Sequence, residues 1–171
     1  MASKHRVALL IGINDYWFGG WQRLKFAEGD CHKLAEALCR PQYGFRRENI
    51  HILTGSSREP SRQPFRNNLL FNTLFSEVVG EPLDLFLFFF AGHGEEVEGW
   101  SYLVPVDGVR KRIKETCVPL SSIVERISRL QARHKLIILD ICHSAGVRGE
   151  GAGLPPSFAS EAQAINGAVV L

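Results

Sequence analysis

The stretch Leu85-Phe86-Leu87-Phe88-Phe89-Phe90-Ala91-Gly92-His93-Gly94-Glu95 decides the fold. Its first six residues are apolar without alternation, so a strand built from them must be covered on both faces, like the central strand of a parallel sheet. Helices therefore lie on both sides of it. Towards the N-terminus, residues 5–13 read as a first buried strand ending in Gly12 and an Asn14-Asp15 turn. Cys31, Leu34, Ala35 and Leu38 recur at helical spacing within residues 28–39. Residues 49–54 form a short strand closed by Gly55, and 56–64 an exposed Ser/Arg/Pro-rich loop. Leu70, Phe71, Leu74, Phe75 and Val78 mark one face of a second helix, stopped by Gly80-Glu81-Pro82.

Towards the C-terminus, the glycines around His93 predict a turn out of the strand, then a short hairpin through Tyr102-Leu103-Val104 and a basic loop at Arg110-Lys111-Arg112. Leu120, Ile123, Val124, Ile127 and Leu130 share one face of a third helix, with Ser122 and Glu125 spaced as a capping box. Residues 136–140 form another buried strand, 146–167 a flexible loop, and 168–171 a last strand. Strands alternating with helices, without an internal repeat, predict a three-layer αβα sandwich on a mostly parallel sheet.

The 171 residues are expected to form a single domain, 1–171, because domains run roughly 100–200 residues. Twenty Lys and Arg against eighteen Asp and Glu leave a net charge of +2, too small for the basic face that nucleic acid demands. No apolar run approaches the roughly 20 residues of a membrane span, and no secretory signal is evident. Four cysteines without a CxxC pair are too sparse for a disulfide framework, so a cytoplasmic location is expected. They also lack the local ligand spacing of a zinc site. The chain stops inside an apolar strand, which predicts a fragment or processed subunit whose remaining elements come from elsewhere.

In open α/β sheets, working residues gather beyond the carboxyl ends of strands. Gly92-His93-Gly94 lies at one such end and Asp140-Ile141-Cys142-His143-Ser144 at the next. On neighbouring strands they would put His93 and Cys142 on one rim. An imidazole beside a thiol lowers its pKa and later protonates the leaving amine, so the pair suits nucleophilic catalysis.

These two motifs resemble those of the caspase-like cysteine peptidases, most of all the metacaspases and their bacterial relatives. His93 and Cys142 lie 49 residues apart, close to the spacing of about 50 typical of caspases. The Asp-x-Cys-His-Ser pattern differs from the Gln-Ala-Cys-Arg-Gly of true caspases. Ala8-Leu9-Leu10-Ile11-Gly12-Ile13-Asn14 and Tyr102-Leu103-Val104-Pro105-Val106-Asp107 extend the resemblance over essentially the whole chain.

The resemblance implies a caspase-like domain lacking its C-terminal small-subunit part, cut or processed after the fifth core strand. It implies an endopeptidase in which Cys142 attacks the scissile carbonyl and His93 handles the proton, with backbone N–H groups of Gly94 and Cys142 as oxyanion hole. It also implies an acidic pocket built from Asp140 and Asp30. Carboxylates select Arg or Lys through charge-assisted hydrogen bonds, so cleavage after basic residues is expected. Around Asp30, Ala27-Glu28-Gly29 departs from the Cys and Asn usual in the family.

Blander readings stand beside these. Asp140 also suits a turn cap, and Asp30 an ordinary first-turn helix acid. Cys31, Cys39 and Cys117 read as packing residues, and His143 as structural. Arg148, in the loop after the nucleophile, is a candidate self-cleavage site, as are the arginines of the 110–112 loop. No cofactor is required; Glu95, Glu96 and Glu98 offer calcium at most an acidic loop. The expected partners are a peptide with Arg or Lys before the cleaved bond and the missing portion or a regulatory sensor. Latency until activation, in a cell-death or defence pathway, is the family analogy. The competing expectation is a catalytically silent caspase-like scaffold.

Overall fold

The computed structural model describes residues 5–70, 75, 81–143, 156–163 and 168–170, with backbone alone at 143 and 168–170. Seven strands form one sheet among the described residues: β1 (Arg6–Gly12), β2 (Ile50–Thr54), β3 (Leu83–Val97), β4 (Trp100–Leu103), β5 (Val118–Pro119), β6 (Ala132–His143) and β7 (Ala168–Val170). β2, β1, β3, β6 and β7 lie side by side in that order, each pair parallel. β4 and β5 pair antiparallel beside the second half of β3. The described helices are α1 (Ala27–Leu38), α2 (Arg66–Leu70), α3 (Ile113–Thr116), α4 (Leu120–Ser128) and α5 (Pro156–Gln163).

Alternate residues of the central strands enter opposite layers. Ala8 and Leu10 of β1, with Leu87, Phe89 and Ala91 of β3, pack against Ala27, Cys31, Ala35 and Leu38 of α1. Small side chains on that helical face let the helix sit close to the sheet. Val7, Leu9 and Ile11, with Phe86, Phe88 and Phe90, meet Leu120, Ile123, Val124 and Ile127 of α4 and Phe158 and Ala162 of α5. Each of the three phenylalanines is fully buried, worth roughly 1.5–3 kcal/mol apiece relative to exposure.

Three sequence expectations are corrected. β3 does not turn at Gly92 but runs on to Val97, because Gly94, Glu95, Glu96 and Val97 find antiparallel partners in Leu103, Tyr102, Ser101 and Trp100. The reversal comes instead at Glu98 and Gly99, with φ of 53° and 80°, the positive-φ pair whose twist matches a two-residue hairpin. The capping box is absent: α4 starts at Leu120 with Pro119 as its N-cap and no side-chain cap, so Ser122 lies inside the helix and Glu125 pairs with Arg129. Within the expected 146–167 loop, residues 156–163 are helix α5, buried through Phe158 and Ala162. Of the predicted second helix, Phe71, Leu74 and Val78 lie outside the described residues, as does Leu171.

Candidate active site

The sheet changes partners at His93. β1 accompanies β3 as far as Gly12 opposite Ala91, and the Ile13 N–H donates to the Ala91 carbonyl at 3.0 Å. One step later the Val104 N–H donates to the His93 carbonyl at 3.0 Å, and β4 has taken the place of β1. Such a switch opens a crevice at the carboxyl end of a strand. On the other side β6 stays in register, pairing Ala91 with Asp140 and His93 with Cys142. Leu136 and Ile138 face the α1 layer, so Asp140 and Cys142 continue that face, and His93 follows Phe89 and Ala91 onto it. His93 and Cys142 thus lie within strands rather than beyond their ends.

Gly92 and Gly94 make room beneath the histidine. A Cβ at Gly94 would stand 2.7 Å from Ile141 Cγ2 and 2.9 Å from Phe158 Cζ, and one at Gly92 3.0 Å from Phe90 Cζ. A larger residue at Gly94 would push Phe158 of α5 away from the strand pair that carries the site, and one at Gly92 would press on Phe90 and Tyr16.

His93 is 2% exposed. Its N–H donates to the Tyr16 hydroxyl at 2.8 Å, while Nδ1 lies 3.0 Å from the Cys142 carbonyl oxygen and Nε2 2.7 Å from that of Gln22. A neutral imidazole carries one N–H and serves one of these carbonyls; an imidazolium carries two and serves both. The Tyr16 ring centroid is 5.1 Å from the imidazole, and Trp21 stacks on it at 5.6 Å with 29° between planes. Burial pushes the Tyr16 phenol well up, which keeps it neutral, although the His93 N–H works against that shift.

Cys142 is exposed, with a free thiol. Partial shielding of the sulfur, and after it the Asp140 carboxylate, push this thiol above its ordinary range. A thiolate here therefore needs a positive partner, and the His93 ring is the basic group adjacent in the sheet. Cys31 and Cys117 are buried, and burial pushes both thiols up, which makes them packing groups.

The acidic residues lie on separate elements. Asp140 is exposed and level with Gly12, with β3 between them, a distance of about 10 Å across the sheet. The start of α1 sits over Gly12, where a Cβ would meet the Ala27 carbonyl oxygen at 2.5 Å. Asp30, in that first helical turn, is half-exposed and pairs with Lys33 at 3.5 Å. At 100° per residue it lies on the opposite flank of α1 from Glu28. Gly94 is one register step from Cys142, opposite His143. Arg148 lies outside the described residues. Glu98 pairs with Lys114 at 2.7 Å and Glu96 accepts the Ser157 hydroxyl. Among the described residues no three His, Cys, Asp or Glu side chains come together as a metal site.

Sequence reasoning missed the loop that encloses the histidine, residues 13–26, and the residue that anchors it. Glu28, 8% exposed, accepts from the Asn14 N–H at 3.2 Å and from the Ser56 hydroxyl. The Asn14 side chain returns an acceptor to the Glu28 N–H at 3.3 Å. This latch ties together the ends of β1, β2 and α1. Glu28→Ala would remove the acceptor of the half-buried Asn14 N–H and of the exposed Ser56 hydroxyl, costing about 1 kcal/mol, so thermal denaturation should show a melting temperature lower by about 2–4 °C. The legible signal was an acid at the second position of α1 facing the Asn14-Asp15 turn. Tyr16, Trp17, Phe18 and Trp21 together were the other, a density of aromatics unusual for a solvated loop.

A buried histidine and an exposed thiol, paired across neighbouring parallel strands at a point where the sheet changes partners, give this α/β domain the layout of a caspase-like cysteine protease. Comparison with known proteins agrees. The chain belongs to the caspase-domain family, whose family model, "Caspase domain", matches residues 5–166. It is similar to Metacaspase-1 of Pyricularia oryzae, 32% identical over 149 residues that cover 81% of this chain and 36% of that protein. It is also similar to Metacaspase-1 of Eremothecium gossypii, 30% identical over 163 residues covering 86% of this chain and 35% of that one. The chain thus spans about a third of the length of these curated relatives. In fold it is similar to a crystal structure of a Geobacter sulfurreducens protein, with a TM-score of 0.59 at 17% identity over 82% of this chain and 51% of the other. The Drosophila initiator caspase Dronc matches with a TM-score of 0.56 at 16% identity, covering 82% and 50%.

Proposed function

We propose that this domain is a cysteine endopeptidase that cleaves after Arg or Lys, with Cys142 as nucleophile and His93 as proton carrier. The observation that carries the reading is the cross-strand pairing of His93 with Cys142 on one face of the sheet. Cys142 passes its proton to His93, and the sulfur attacks the scissile carbonyl carbon. The carbon–nitrogen bond breaks as the imidazolium gives the proton to the departing amine. Water then hydrolyses the thioester, releasing the carboxylic acid and restoring the thiol. The imidazolium formed between these steps is the form that both the Cys142 and the Gln22 carbonyl can accept from. Backbone N–H groups of Gly94 and Cys142 hold the oxyanion.

Asp140, two residues before the nucleophile, is the base of the pocket for the substrate cation, with Asp30 on its far side. Latency is supported by the site itself: both imidazole nitrogens point at carbonyl oxygens rather than at the thiol, so activation requires a shift of β6 that brings the Cys142 thiol to the held ring. Arg148 is the proposed self-cleavage site, and the remaining part of the fold or a sensor the proposed activating partner. Four unpaired thiols suit a reducing cytoplasm, and no described helix is long and apolar enough to cross a membrane. The test is fluorogenic release from matched peptides ending in Arg, Lys and Asp. Turnover of the Arg and Lys peptides, silence on Asp and loss after iodoacetamide treatment are expected. Cleavage after Asp overturns the specificity, and silence on all three favours the scaffold.

A further inference from the structure

Three groups stand in a column above the sheet at His93. Trp21 lies on the imidazole at 5.6 Å, nearly parallel to it. Against Trp21 the Arg110 guanidinium carbon stands 5.7 Å from the ring centroid. The indole is fixed at its polar edge, where Nε1–H donates to the Gly108 carbonyl at 2.9 Å. Arg110 is fixed as well: Nη1 donates to the Gly20 carbonyl at 2.9 Å, and a Cβ at Gly20 would stand 3.1 Å from the Arg110 Cβ. Earlier in the same loop, the Trp17 N–H donates to the Val106 carbonyl at 2.9 Å. The 104–112 segment that follows β4 thus clasps the 13–26 loop at three points and presses it onto the histidine. Arg110, expected from sequence in a free basic loop, is a clasp residue.

We propose that Trp21 is the positioning residue for His93, locked in place by the Gly108 carbonyl and backed by Arg110. This rests on the His93–Cys142 reading above. Nothing in a β-strand fixes the ring torsion of a histidine, and two carbonyls in line with its nitrogens accept only one ring plane. Trp21 covers one face of that plane and Tyr16 leans on it at 44°, which leaves the imidazole no free rotation. The indole also presents its electron-rich face to the imidazolium that the reaction forms, a favourable cation–π contact in a site shielded from water. Misplacement of such a group by about 1 Å lowers rate about 100-fold.

The titratable and charged groups around this pair are Asp140 from β6, Tyr16 from the enclosing loop and Arg110 against the indole. Tyr16 in turn feels Cys142, Cys117 and Glu28. The experiment uses two readouts on the full chain: kcat and KM with an Arg peptide, and the pH profile of Cys142 alkylation by iodoacetamide, which needs no substrate. Trp21→Ala should lower kcat about 100-fold with KM little changed and move the thiolate limb of alkylation towards that of His93→Ala. Trp21→Phe, which keeps an aromatic face but loses the Gly108 bond, should recover about tenfold of that loss and stay about tenfold below wild type. Arg110→Gln should fall between Phe and wild type. If Trp21→Ala fails to fold, the Phe and Gln variants carry the same order of effects. A wild-type kcat and alkylation profile in folded Trp21→Ala, or in both Trp21→Phe and Arg110→Gln, overturns the proposal. If His93→Ala both alkylates with the wild-type profile and turns over undiminished, the pair itself is refuted and the positioning role falls with it.

Discussion

Cys142→Ala should abolish release from an Arg peptide, and His93→Ala should lower it at least about 1000-fold. The double variant should be no slower than Cys142→Ala alone, because residues that act as one unit fail together. The physical ground is that neither group suffices. The Cys142 thiol is held above its ordinary range by shielding and by Asp140, so at neutral pH it is a poorer nucleophile than a free cysteine until a base removes its proton. His93 is the base placed across the strand pair, and without it no proton reaches the leaving amine either. Alkylation separates the two roles. Cys142 is the exposed thiol, Cys39 is half-buried, and Cys31 and Cys117 are buried, so alkylation read at Cys142 by peptide mapping should be slower in His93→Ala at pH 7, with the two rates converging as pH rises and ionises the thiol unaided. Undiminished turnover in His93→Ala would reject the mechanism. Full loss of turnover with unchanged alkylation would confine His93 to the later proton transfer.

Residues 85–91 were readable as a central strand because the demand for cover on both faces is written into consecutive apolar side chains, and the structure divides them between two layers as required. The resemblance carried by Gly92-His93-Gly94 and Asp140-x-Cys142-His143-Ser144 holds across residues 5–166. Glycine signals a turn locally, whereas here Gly92 answers to Phe90 and Tyr16, and Gly94 to Ile141 and Phe158, packed against the strand. The partner strand that keeps β3 extended, Trp100–Leu103, is non-local information, and pairing of that kind overrides propensity. Helix α5 was hidden for a similar reason: only Phe158 and Ala162 mark its buried face within a Gly-, Pro- and Ser-rich stretch. Ser122 and Glu125 had the right spacing, but a capping box depends on where the helix begins, and Leu120 begins it.

The site divides along the same line. His93, Cys142, Asp140 and Asp30 could be named as candidates because their side chains are of the types that the proposed chemistry needs. The Gln22 carbonyl could not, since any residue at position 22 would offer the same oxygen to Nε2. Trp21 and Arg110 are intermediate cases. Their identities matter, but the contact that joins them spans 89 positions of sequence by way of a loop and a strand pair, and neither has a motif. What sequence reports is therefore the reacting groups, and what folding adds is the cage that orients them.

Asp140→Asn should act on two observables in opposite directions. Cleavage of the Arg peptide should fall about 10- to 100-fold in kcat/KM, because a charge-assisted hydrogen bond to a cation is replaced by a neutral one. Alkylation of Cys142, by contrast, should speed up at pH 7. The carboxylate opposes the thiolate, so removing its charge lowers the thiol pKa and moves the thiolate limb to lower pH. Asp140 is exposed, and an isosteric amide at the surface leaves the fold intact, so the melting temperature should stay within about 2 °C of wild type. The opposed signs are what make the experiment decisive. A disturbed site would depress turnover without quickening alkylation; a carboxylate that merely ends a strand would quicken alkylation and leave Arg preference unaltered. Only a charge serving as the base of the cation pocket beside the nucleophile produces both changes. The accompanying change in selectivity should be a narrowing of the gap between Arg and uncharged peptides, with Asp30, on the far flank beside Lys33, supplying what basic preference survives.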